Sequence, residues 1–182
     1  MTAIELAEPN LDSVLSTLDQ LEAVCPRHRA EFYEGSFHVN PPASAPHNQA
    51  ILVLAQRLLN NPLPPGYSIV TDSRIHFGPE VMCPDIAVVR EAAIKSATGS
   101  LAMEADDVLL VAEVRSPSSE HKDTRVVMGI CRRLGIDYWL VAPSTRIGVP
   151  WESIERFPFG PQSGIDVPDA DGPAPAAVDD AE

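Results

Sequence analysis

Pro84-Asp85-Ile86-Ala87-Val88-Val89-Arg90 and Val108-Leu109-Leu110-Val111-Ala112-Glu113-Val114-Arg115 decide how this chain is read. Each is a short strand-like run. Each also carries one acid at an end: Asp85 opens the first run and Glu113 stands near the close of the second. Alternation of period two places Glu113 and Arg115 on one face of their strand and leaves the Val114 carbonyl at its edge. If the two strands are neighbours, Asp85 and Glu113 can share a divalent cation through hard oxygen ligands. Such an ion polarises a phosphoryl oxygen and lowers the pKa of a bound water, the chemistry of phosphodiester hydrolysis. The spacing is permissive, and an acid at a strand start or a Glu paired with its own Arg serves equally well in a sheet that binds no metal.

The flanking segments supply the layers around those strands. Leu11, Val14, Leu15, Leu18 and Leu21 recur at helical spacing behind the N-cap Asn10 and predict a helix over 11–24 that stops before Pro26. Phe32 to Val39 reads as two short strands around Gly35-Ser36. Ser44 caps a second helix with Pro46 in its first turn, and Ile51, Leu54, Ala55, Leu58 and Leu59 form its apolar face before Asn60-Asn61-Pro62 ends it. Tyr67 to Phe77 reads as a further strand, and the stretch between Arg90 and Val108 as a polar loop. Ser116-Pro117-Ser118-Ser119 is a turn and N-cap for a third helix, about Glu120 to Leu134, closed by Gly135; Asp137 to Ala142 is a buried strand and Ile154 to Phe157 an edge strand. The order predicts an α/β domain with a mixed central sheet flanked by helices. Residues 1–26 are expected to be an N-terminal helix, 27–159 the domain, and 160–182, dominated by Pro, Gly, Ala and Asp, a disordered acidic tail.

The formal charge of the 182 residues is −13, which taken whole argues against a basic nucleic-acid coat or a membrane-surface protein. Its distribution changes that. Glu5, Glu8, Asp12, Asp19 and Glu22 lie in residues 1–24, and Asp166, Asp169, Asp171, Asp179, Asp180 and Glu182 in residues 165–182, with no Lys or Arg in either segment. The intervening chain holds all 13 bases and is close to neutral. A protein that mimics DNA through its acidity would carry that charge across a surface, not at two ends. Cys25, Cys83 and Cys131 are odd in number and widely spaced, which suits a reducing cytoplasm. Cys25-Pro26-Arg27-His28 has no second ligand pair to complete a zinc site. No apolar run approaches the length of a membrane helix.

Glu113-Val114-x-Ser116-Pro117-Ser118, Asp123 and Gly135-Ile136-x-Tyr138-Trp139-Leu140-Val141, with Pro84-Asp85-Ile86 upstream, together resemble the Uma-two family of restriction-endonuclease-like proteins in the PD-(D/E)XK nuclease superfamily. Tyr33-Glu34-Gly35 is similar to that family's early acidic hairpin, and His47 to the histidine that begins its next helix. The resemblance covers roughly residues 27–143. It implies a restriction-endonuclease-like core that cleaves DNA with Mg²⁺ or Mn²⁺, Asp85 and Glu113 as carboxylate ligands, Glu34 as a further ligand, and His47 and Asp123 as accessory residues. It also implies a lysine four residues after the acid matched by Asp123, where this chain has Val127. Arg115, on the face of Glu113, and Lys122, about 40° outside the stripe formed by Val126, Ile130 and Leu134, are the candidates to act on the scissile phosphate in its place. An arginine there binds phosphate but is no general base. Val127 supports the alternative of a nuclease-like module without turnover that binds nucleic acid or a protein partner, and cleavage of both strands of a duplex would call for a homodimer.

Overall fold

The computed structural model describes residues 10–97, 102–144, 149, 151–161, 164, 165 and 167. Parts of the expected N-terminal segment (residues 1–9) and most of the expected tail, including 168–182, lie outside them. Helix α1 (Leu11–Val24) is followed by strands β1 (Arg29–Tyr33) and β2 (Ser36–Asn40), then helix α2 (Ala45–Asn60). Strands β3 (Tyr67–Thr71), β4 (Ile75–His76), β5 (Val81–Met82) and β6 (Ile86–Arg90) come next. A short helix α3 (Glu91–Ser96), strand β7 (Met103–Glu104) and a 3₁₀ turn lead into β8 (Val108–Val114). The chain closes with a π-helical turn (Lys122–Val127) running into α4 (Met128–Leu134), then β9 (Asp137–Pro143) and β10 (Trp151–Phe157).

The strands form two five-stranded sheets, ordered β2-β1-β5-β4-β7 and β10-β9-β8-β6-β3. The second is the mixed central sheet expected from the sequence: β8 and β9 run parallel, and the other neighbours are antiparallel. Alternation sorts its residues between two covers. Ile86, Val88, Leu110, Ala112, Val114, Trp139 and Val141 pack against Ala50, Leu54 and Leu58 of α2. Ala87, Val89, Val111, Tyr138 and Leu140 pack against Val126, Val127, Ile130 and Cys131 on the other face. Both faces are covered, which is why β6, β8 and β9 read as almost continuous apolar runs. Leu54 and Leu58, fully buried, each contribute about 1.5–3 kcal/mol of burial.

The run Tyr67 to Phe77 is not one strand. Asp72 adopts a left-handed φ of 49° and donates its N–H to the Pro84 carbonyl, so the chain breaks there and its two halves join different sheets. The polar loop expected before Val108 likewise contains α3 and β7. Helix α1 packs Val14, Leu15 and Leu18 on Ala30 and Phe32 of β1 and on Val81. That leaves the alternate residues of β1, Glu31 and Tyr33, facing away from α1. Among the described residues no helix is long and apolar enough to cross a membrane, and Cys25, Cys83 and Cys131 are free thiols.

Beyond β10, Phe159 packs on the α4 side of the core and Val167 is fully buried on the α2 side. Gly160 donates its N–H to Asp137 Oδ1 at 2.8 Å. A Cβ there would stand 2.6 Å from the Gly135 carbonyl oxygen and 3.2 Å from Asp137 Oδ1. The first contact is with backbone, which cannot swing away as a side chain would. Gly160→Ala is expected to cost about 1–3 kcal/mol, the usual range for overpacking, measured from the urea midpoint.

Candidate active site

Asp85 stands where the chain crosses from β5 of one sheet to β6 of the other. The antiparallel register pairs Ile86 with Ala112 and therefore sets Asp85 beside Glu113. The amide of Asp85 donates to Glu113 Oε2 at 3.2 Å, and the amide of Val114 donates to Asp85 Oδ2 at 2.7 Å. The backbone of one strand thus holds the acid of the other. Asp85 Oδ1 lies 3.1 Å from His47 Nε2 in the first turn of α2.

The far wall is built from Lys122 and Glu31. Lys122 Nζ is 3.4 Å from Glu31 Oε2 and 3.7 Å from Glu113 Oε1. Glu31 is held by two further donors, the Cys83 amide at 2.8 Å and the Asn40 side chain at 2.5 Å. Lys122 and Asp123 begin the π-helical turn. A π turn takes more residues per turn than an α turn, so residues before it are rotated relative to a continuous α-helix. Lys122, predicted at the margin of the apolar stripe, lines the cleft with Asp123. The Asp123 carboxylate accepts from the Ser119 hydroxyl through Oδ2, and its Oδ1 is buried without a hydrogen-bond partner. Tyr138 donates its hydroxyl to the Asp123 carbonyl at 2.9 Å.

These groups line one cleft of about 740 Å³, with Tyr33, Ser44, Asn48, Ser116 and Pro117 at its sides. Two residues named from the sequence do not line it. Glu34 sits at the hairpin turn with φ 51°, largely exposed, 3.7 Å from the equally exposed His121. Arg115 follows the end of β8 and reaches Glu155 on β10 at 3.1 Å. In place of Glu34 the hairpin contributes Glu31, which is 1% exposed. The signal for Glu31 was present in β1: between Ala30 and Phe32, which face α1, it is the strand's one acid and alternation turns it to the opposite side. Val127 is buried in the core and does not line the cleft.

The electrostatics follow from crowding. Glu31, Asp85, Glu113 and Asp123 surround the one ammonium of Lys122. Burial lifts the Glu113 carboxyl well above the usual range; Lys122 opposes the rise, and Asp85, Asp123 and Glu31 add to it. Asp123 is pushed up to about 6 by burial, against the stabilising bond from Ser119 and the charge of Lys122. Burial disfavours the Lys122 ammonium, but Glu113, Glu31 and Asp123 outweigh it and hold the group protonated far above neutral pH. His47 is raised in the same way, burial being outweighed by the bond to Asp85 and its charge.

Among the described residues no three of His, Cys, Asp and Glu are placed to hold a metal ion by themselves. Magnesium asks for less: one or two carboxylates, with water and substrate phosphate completing its shell. Asp85 and Glu113, hard donors on adjacent strand ends inside a surplus of negative charge, fit such an ion.

A family model, Uma2, described as "Putative restriction endonuclease", matches residues 16–147 of the chain. The fold is similar to a crystal structure described as "a putative nuclease belonging to DUF820" from Anabaena variabilis ATCC 29413, with TM-score 0.50 and 18% sequence identity over 71% of this chain and 76% of that one. No curated protein matches the chain.

Proposed function

The chain belongs to the Uma2 (Uma-two) family of restriction-endonuclease-like proteins, and from that premise we propose that it is a divalent-metal-dependent endonuclease that hydrolyses phosphodiester bonds in DNA. The observation that carries this reading is the meeting of Asp85, Glu113 and Lys122 in one cleft, with the Lys122 ammonium 3.7 Å from Glu113. Asp85 and Glu113 would hold Mg²⁺ or Mn²⁺, which when bound polarises a phosphoryl oxygen and acidifies a water. Lys122 supplies a permanent positive charge and N–H donors to the phosphate as negative charge builds on its oxygens. Glu31 keeps the ammonium in the cleft by accepting from it, and is itself fixed by the Cys83 amide and Asn40.

Supercoiled plasmid incubated with the protein and Mn²⁺ is expected to be nicked, and the nicking to disappear with chelator and in Asp85→Ala. Undiminished nicking by Asp85→Ala would sink the assignment. The second reading, a module that binds nucleic acid or a protein partner without turnover, is favoured by Val127, a core residue at the position where the family supplies a lysine. Retained DNA binding with no Mn²⁺-dependent nicking would decide for it.

A further inference from the structure

His47 takes no part in the chemistry above, yet its setting is specific. It occupies the third position of α2, and its N–H meets the hydroxyl of the cap residue Ser44 at 3.4 Å. Pro46 stiffens that turn, while Ala50, Leu54 and Leu58 anchor the helix on the central sheet. The imidazole is therefore presented by backbone with little freedom to move. Its Nε2 contacts Asp85 Oδ1 at 3.1 Å, and the opposite oxygen of the same carboxylate takes the Val114 amide at 2.7 Å. A helix grips one oxygen and a strand edge the other. With a single bond the carboxylate could swing about its terminal torsion, which is broad and nearly two-fold for aspartate. Two bonds from opposite sides fix its plane. Each carboxylate oxygen still has a lone pair to give, because an ionised carboxylate accepts about four contacts. The other ring nitrogen, Nδ1, is buried with no hydrogen-bond partner, so the Nε2 contact is what orders the ring.

We propose that His47 is a positioning residue whose Nε2–H donation to Asp85 Oδ1 sets the plane of that carboxylate for a divalent cation. The proposal rests on the reading of Asp85 as a metal ligand and adds the group that orients it. Such outer partners typically account for 10–100-fold in metal affinity.

The test is Mn²⁺ titration calorimetry on the full chain without DNA, comparing wild type, Glu113→Ala, His47→Phe, His47→Asn and His47→Gln, with metal-free melting of each. His47→Phe keeps a ring and loses the donor; His47→Asn keeps an amide too short to reach Oδ1; the Gln amide reaches it. His47→Phe and His47→Asn are expected to weaken Mn²⁺ binding about 10–100-fold at unchanged metal-free melting, and His47→Gln to recover most of the loss. Affinities of His47→Phe and His47→Asn equal to wild type would overturn the proposal, as would His47→Gln binding no better than His47→Asn. If His47→Phe fails to fold, the contrast between Asn and Gln still decides. Absence of Mn²⁺ binding by wild type would be a different result, overturning the metal reading of Asp85 and Glu113 itself and this proposal with it.

Discussion

Lys122→Met is expected to lower Mn²⁺-dependent nicking by about 10²–10³-fold, the usual effect of removing one preorganised group that stabilises developing anionic charge. Metal binding should respond in the opposite direction. The ammonium lies 3.7 Å from Glu113, and removing a cation beside a cation site removes a repulsion, so Mn²⁺ should bind at least as tightly as in wild type. Loss of activity without loss of metal affinity separates a phosphate-binding role from a structural one. Lys122→Arg keeps the charge but not the compact geometry and should recover only part of the rate. Arg115→Ala is the internal comparison. Its guanidinium pairs with Glu155 outside the cleft, and its removal should change nicking by less than about threefold, in line with the small worth of exposed ion pairs. A Lys122→Met variant as active as wild type, or a larger loss in Arg115→Ala, would reassign the phosphate contact.

Glu113→Gln should reverse its effect on stability according to whether metal is present. In wild type the buried carboxyl is raised well above its usual value, so above an unfolded pKa of about 4.3 the folded state holds a proton that the unfolded chain has released. Stability is then full below that pH and falls as pH rises through the folded-state pKa. Asp123, pushed up to about 6, adds a further loss between about pH 4 and 6. Metal-free Glu113→Gln carries no ionisable group at 113, so its stability should decline less between pH 5 and 8 and exceed that of wild type at pH 8, by about 1–3 kcal/mol if the relieved cost is that of a poorly compensated buried polar group. With Mn²⁺ at about a hundred times its dissociation constant, wild type should gain about 2.7 kcal/mol. The variant should gain little, since it has lost a ligand. Urea titrations at pH 5 and 8, with chelator and with Mn²⁺, measure all four corners. Parallel pH profiles for the two proteins would show that Glu113 does not titrate in the folded state above its ordinary range.

The parts of the site that were legible in the sequence are those set by one strand at a time. Asp85 and Glu113 mark the ends of apolar runs, and the antiparallel register of β6 and β8 puts them together as expected of neighbouring strands. Glu34, a ligand implied by the family resemblance, occupies the left-handed turn position of the hairpin, where the side chain is largely exposed. Glu31, three residues earlier, is the acid that alternation turns inward. Arg115, placed on the face of Glu113 by the same period-two rule, does reach Glu155, whose register partner Leu140 also pairs with Glu113, but it leans across the sheet toward β10 and does not line the cleft. Lys122 was given an angle by the α-helical period, and the helix is a π turn at that point.

The sequence by itself determined the helices α1 and α2, the central strands β6, β8 and β9, and the two acids at the ends of β6 and β8, because caps, apolar period and strand alternation act over a few neighbouring residues. It also determined that the strongly acidic composition belongs largely to the two ends of the chain. Only the tertiary structure decided which charges meet. Glu31 and Lys122 are 91 residues apart in the chain, on a hairpin of one sheet and a helical turn over the other. Their contact joins elements that the break at Asp72 divides between two sheets and draws on the π turn, while the docking of α2 separately brings His47 to Asp85. Local periodicity states which side of its own element a residue faces. What stands on that side is set by the packing of elements remote in sequence.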